Sequence, residues 1–97
     1  MKIRAVYYLN EPEDLECDIF EVRVELVQED DISKEEEYAF TATTLKFLQK
    51  QMSSSKKSYF RGLNSPLIVF SKLDDTTILN AINDFLPEIK NVAKKIY

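Results

Sequence analysis

The side chains that could do chemistry in this chain are carboxylates, lysines, hydroxyls and one thiol. The 97 residues include no histidine and a single cysteine. Those counts remove histidine-activated nucleophiles, histidine metal sites and intrachain disulfides. A Ser, Thr or Cys nucleophile would have to use Lys, Asp or Glu as its base. The lysines cluster on polar stretches, where water keeps their ammonium groups charged. No G-x-S-x-G elbow and no nucleotide-cradling glycine run occurs. Cys17 lies between Glu16 and Asp18, whose charges disfavour the thiolate, so a structural thiol is expected. Paired carboxylates abound, but a catalytic dyad also needs a cleft that splits their pKa values. The expectation is a protein that is not an enzyme and needs no cofactor. Glu29, Asp30 and Asp31, or Glu35, Glu36 and Glu37, offer oxygen ligands, yet the calcium loop with its central glycine is missing. No dedicated metal site is expected.

Charge is the more informative property. The formal net charge is −4, and its distribution is uneven. Residues 1–42 hold 13 acids against four bases, a net of −9, whereas residues 43–97 hold four acids against nine bases, a net of +5. The acids concentrate between residues 10 and 37, where 13 acids face only Arg23 and Lys34, a net of −11 over 28 residues. Charge this dense repels itself within a fold, so stability does not call for it. Spread over one surface, it would steer a positively charged partner and raise its on-rate. Plain solubility is the competing account. The candidate contacts are Glu11, Glu13, Asp14, Glu21, Glu25, Glu29, Asp30, Asp31, Glu35 and Glu37, centred on the acids of the 29–37 turn. A second stretch, Lys56, Lys57, Tyr59, Phe60 and Arg61, pairs bases with aromatics as single-stranded nucleic acid binders do. The pI of about 4.8 argues against a polyanionic partner, so nucleic acid is not expected.

The elements that must position these residues follow from periodicity. The chain is a single domain, residues 1–97, with 44% hydrophobic residues, one glycine and three prolines, which excludes disorder and low complexity. Residues 2–9 read as a strand, with Ile3, Ala5, Tyr7 and Leu9 on one face and Val6 and Tyr8 on the other. Phe20, Val22, Val24 and Leu26 alternate with Glu21, Arg23 and Glu25, a strand with one buried and one wet face. A polar turn, 28–34, leads into a third strand from about Glu35 to Ala42, with Tyr38, Phe40 and Ala42 inward and Glu37, Ala39 and Thr41 outward.

At Thr43-Thr44 the period changes. Leu45, Leu48 and Met52, with Phe47, fit a helix that either threonine could cap. The polar stretch 53–58 should end it. Gly62 suits a turn needing positive φ. Pro66 opens a short apolar strand, Leu67 to Ser71. Asp74 can cap a last helix whose stripe of Ile78, Leu79, Ile82, Phe85 and Leu86 continues in phase through Ile89, Val92, Ala93 and Ile96. Pro87 should kink or restart it. The expected fold is α+β, in the order β-β-β-α-β-α: a mainly antiparallel four-stranded sheet with two helices packed on one face. No signal peptide is evident and no apolar run approaches the length that spans a bilayer, so a cytoplasmic protein without a membrane partner is expected.

The segments "FEVRVELV", "EEEYAFTATTLKFL" and "LIVFSKLDDTTILNAINDFL" give the chain, from Phe20 to Leu86, a resemblance to small cytoplasmic immunity proteins of bacterial polymorphic toxin and contact-dependent inhibition systems. The serine-lysine loop and Pro87 have no counterpart in that pattern. The resemblance implies a non-catalytic protein that neutralises a cognate toxin, often a nuclease, by binding it. The partner would then be a toxin with a basic surface. An interaction subunit or homodimer is the alternative, using Val6 and Tyr8 or the stripe Ile89, Val92 and Ile96; monomer and homodimer both remain open.

Overall fold

The computed structural model describes residues 1–31, 33–55, 59–60 and 63–97. The turn expected at Gly62 and the bases Lys56, Lys57 and Arg61 lie outside the described residues. Along the chain come β1 (Lys2–Tyr8), β2 (Ile19–Val27), β3 (Glu35–Thr44), α1 (Leu45–Ser55), β4 (Leu67–Phe70), α2 (Asp75–Phe85), a 3-10 turn (Leu86–Glu88), α3 (Ile89–Val92) and β5 (Lys94–Lys95). The α+β class and the β-β-β-α-β-α order agree with the periodicity. The sheet runs β1-β2-β3-β4, with β5 also paired to β3. Three of its pairings are antiparallel, and β3 with β4 is parallel. Only a crossover connection can return the chain to a parallel neighbour, and α1 with the following segment supplies it.

One sheet face is the core. Phe20, Val22, Val24 and Leu26 of β2 and Tyr38, Phe40 and Ala42 of β3 are buried against Ile78 and Ile82 of α2 and Ile89 of α3. Phe40 sits between Phe70 (ring centroids 6.1 Å apart) and Phe85 (5.6 Å, edge to face). The β1 alternation differs from its sequence reading. The register shifts between Ile3 and Ala5, so Arg4 is an extra residue that puts Ile3 on the same face as Val6 and Tyr8, all three packed on the core.

The two helices are not equivalent. α2 covers the core face, whereas among the described residues α1 adds nothing to the core cluster; the expected pair of helices on one face is in fact one helix and its α3 extension. Thr44 caps α1, its Oγ1 accepting from the Phe47 backbone N–H at 3.3 Å. The molecule measures 50 × 22 × 21 Å. A ten-residue strand of about 33 Å followed by an 11-residue helix of about 16 Å accounts for that long axis, so α1 continues β3 beyond the sheet. Its Phe47 meets Phe60 edge to face at 6.1 Å.

The last segment also departs from the periodic stripe. Pro87, inside the 3-10 turn, ends the run of α2, and Ala93 turns extended at φ −126° and ψ 162°. Beyond it Lys94 and Lys95 pair with Ala39 and Tyr38, and Ile96 and Tyr97 exchange backbone hydrogen bonds with Glu37. Below β4 the outer edge of β3 needs partners for its peptide groups, and the C-terminal residues supply them.

Candidate binding surface

The ten candidate carboxylates do not form one surface. Strand β2 carries Glu21, Arg23 and Glu25 away from the core, and the β2–β3 register sets Arg23 opposite Ala39 and Glu25 opposite Glu37. Arg23 Nη2 lies 2.9 Å from Glu21 Oε2, Nε donates to the same oxygen at 3.0 Å, and Nη1 is 3.7 Å from Glu37. The Tyr7 hydroxyl also donates to Glu37. Arg4, displaced by its bulge, pairs with Glu35 and lies 3.8 Å from Glu25. Four predicted contact residues are thus held by two arginines of their own sheet. The Glu21 hydrogen bond raises the Arg23 guanidinium further above its usual value, and the Glu37 carboxylate raises the Tyr7 hydroxyl.

This face is drier than alternation implies. Glu21 is 9% exposed, and Ala39, Thr41 and Thr43 are fully buried. Ser65 covers Thr41, whose Oγ1 meets Ser65 Oγ at 2.9 Å, and Thr43 Oγ1 donates to the Asp18 carbonyl at 2.9 Å. The short threonine hydroxyls let neighbouring backbone close over the sheet, because each finds a carbonyl there.

Two further candidates shape turns. Asp14 Oδ1 accepts the Glu16 N–H at 2.9 Å, and Asp31 Oδ1 accepts the Ser33 N–H at 3.1 Å. Such Asx turns are what these residues do in polar loops. The loop carrying Asp14 is fixed further by Asp18, which accepts from Glu13 and Ile19 N–H groups, and by the Leu73 N–H to the Leu15 carbonyl at 2.7 Å.

Four candidates remain: Glu11, Glu13, Glu29 and Asp30. All are exposed, and among the described residues none has a side-chain ion pair or hydrogen bond. Glu11 and Glu13 lie before β2 and Glu29 and Asp30 after it. Nine strand residues separate the pairs by roughly 27 Å. The acidic segment therefore gives two acidic ends rather than one patch.

The fold adds acids at the first end that the acidic segment does not contain. α2 starts beside the end of β1, and the Tyr8 hydroxyl donates to Asp75 Oδ1 at 2.7 Å. Burial, this hydrogen bond and the charges of Asp75, Glu11 and Asp74 together raise the Tyr8 hydroxyl far above its usual value. Asp74 stands at the N-cap position; Thr77 lowers its carboxyl below the usual range without a hydrogen bond of capping geometry. An open groove of about 370 Å³ here is lined by Val6, Tyr7, Tyr8, Glu11, Asp75 and Leu79. The sequence signal for Asp75 was a first-turn acid; only topology sets it beside Glu11.

Of the alternative contact residues, Val6 and Tyr8 pack on the core, Ile89 is buried, Val92 is half-buried and Ile96 is 41% exposed. Among the described residues no group of three or more His, Cys, Asp or Glu is arranged to hold a metal ion, and no helix is long and apolar enough to cross a membrane. Comparison with family models, curated proteins and solved structures gives no match to this chain.

Proposed function

We infer that this protein is a cytoplasmic, non-catalytic immunity protein that binds and neutralises a cognate bacterial toxin with a basic surface, such as a nuclease. The observation that carries this reading is the contrast among its acids. Glu21, Glu25, Glu35 and Glu37 are paired with arginines within the sheet, while Glu11, Glu13, Glu29 and Asp30 are exposed and without an ion pair among the described residues. Carboxylates left unpaired beside others that are carefully paired favour a partner supplying the missing cations. The binding area is accordingly the two ends of β2, with Asp74 and Asp75 joining the first.

The test is genetic. On this reading a large toxin reading frame is expected beside the gene for this chain; its C-terminal domain, expressed from a repressible promoter, should stop growth, and coexpression of this chain should restore it. Replacing Glu11, Glu13, Glu29 and Asp30 together by lysine should abolish the rescue while leaving the purified protein folded. Growth arrest that this chain does not relieve would overturn the reading, as would full rescue by the quadruple variant.

A further inference from the structure

The open edge of the sheet at β1 and the acidic groove beside it form one surface. β1 ends the strand order, and no described strand pairs with its outer side. The Leu9 N–H donates to the Glu21 carbonyl at 3.0 Å, which makes Leu9–Glu21 a hydrogen-bonded pair. Antiparallel pairs alternate, so Tyr7 also bonds inward, while Val6 and Tyr8 turn their N–H and C=O groups outward. The side chains of the same two residues face the core side and line the groove with Leu79, Glu11 and Asp75. Backbone groups and groove thus present themselves together.

An added strand would receive both. Residues directly opposite Val6 and Tyr8 in an antiparallel partner would exchange backbone hydrogen bonds with them. Their side chains, about 7 Å apart along the strand, would enter the groove. The one opposite Val6 meets Leu79, which is 43% exposed, and an apolar group suits it. The one opposite Tyr8 meets Glu11 and Asp75, and among the described residues no lysine or arginine lines the groove. A cation from outside complements that end. The lower half of β1 is unsuited, because the bulge at Arg4 and the charge of Lys2 interrupt a regular edge.

We propose that the Val6–Tyr8 edge binds an extended segment of a partner protein by strand addition, taking a Lys or Arg between Glu11 and Asp75 and an apolar residue two positions later against Val6 and Leu79. This rests on the reading of the end acids as partner contacts, and it commits that reading to one end and one mode of recognition.

The probe is the acetylated, amidated pentapeptide Thr-Lys-Thr-Val-Thr, titrated into isotopically labelled protein and followed by amide NMR and hydrogen exchange. Saturable shifts at Val6, Tyr8, Glu11 and Asp75, with the Val6 and Tyr8 amides gaining protection, are expected. N-methylation of the peptide's lysine and valine should weaken binding at least about tenfold, since each added methyl removes a strand hydrogen bond. Exchanging the peptide's lysine for glutamate should abolish it. Glu11→Gln and Asp75→Asn should each weaken it several-fold; Glu11 is an exposed loop residue, so its variant reports on binding even if Asp75→Asn disturbs α2. Shifts confined to Glu29 and Asp30, or binding indifferent to N-methylation, would overturn strand addition and leave the acidic-end reading standing. Absence of any binding would overturn it too, while growth rescue remains the separate measure of the immunity reading.

Discussion

The carboxylates of the sheet face and those of the strand ends share a residue type and a stretch of sequence, yet the fold gives them opposite work. On the face, Arg23 binds Glu21 and Glu37 and Arg4 binds Glu35, in surroundings where Glu21 is nearly buried. There a carboxylate is part of the structure, and its arginine keeps a partly desolvated charge tolerable. At the ends, Glu11, Glu13, Glu29 and Asp30 are exposed and, among the described residues, have no side-chain ion pair, so their removal changes the field around the molecule more than its packing. High acidic density in a sequence does not by itself mark a binding surface, because pairing within the sheet takes up four of the ten candidate acids here.

The largest expected effect comes from breaking the face. Arg23→Met leaves Glu21 without its cation and Glu37 with only the Tyr7 hydroxyl, and should cost roughly 2 kcal/mol, below the range for fully buried pairs because Arg23 is about a quarter exposed. Urea denaturation measures it, and a loss under about 0.5 kcal/mol would erase the distinction between the two regions.

The pH limits of stability give a comparable effect on the opposite, core side of the sheet. The Tyr38 hydroxyl donates to Glu36 Oε2 at 2.8 Å, and Lys95 Nζ lies 3.5 Å from the other oxygen. Burial, followed by the Glu36 hydrogen bond, pushes the Tyr38 hydroxyl up to about 12. The folded protein then holds this proton more tightly than the unfolded chain. Its contribution is complete below pH ~10 and is lost as pH rises from there towards 12, of order 2 kcal/mol in all. The same hydrogen bond, then Lys95, lowers the Glu36 carboxyl. That stability is present above the unfolded value near ~4.3 and lost as pH falls through the lower folded one. Tyr38→Phe should flatten the alkaline limb of a stability–pH curve, and Glu36→Gln the acid limb.

A smaller loss tests the turn acids. Asp14→Ala removes an acceptor from the Glu16 N–H and should cost about 1 kcal/mol. The smallest change belongs to the free end: Glu29→Gln with Asp30→Asn should shift stability by less than about 0.5 kcal/mol. An equal or larger loss for that double variant would show that the hairpin tip is structural after all.

The core strands were legible because a half-buried antiparallel strand writes its burial directly into period-2 alternation; Phe20 to Leu26 and Tyr38 to Ala42 show it. Periodicity also found α1 and α2 but not their different fates. Leu45, Leu48 and Met52 repeat as a helix stripe whether or not a sheet lies beneath them. The in-phase stripe through Ile96 misled for a related reason. It reports local spacing, while the outer edge of β3 drew the last four residues into extended pairing. The acids were the hardest to read. Ionic pairing across β1, β2 and β3 depends on register and on the Arg4 bulge, and neither leaves a mark in the spacing of charges.

The sequence by itself determined the class of fold, the inward residues of β2 and β3, the start of α2 at Asp74 and the confinement of negative charge to residues 10–37, because each is a matter of neighbours along the chain. The tertiary structure decided which acids are spent on Arg4 and Arg23, that the rest separate to opposite ends of β2, and that Asp75 joins Glu11 at the open edge of β1. Those outcomes turn on distances between residues up to 67 positions apart, which are set only when the helix closes over the sheet.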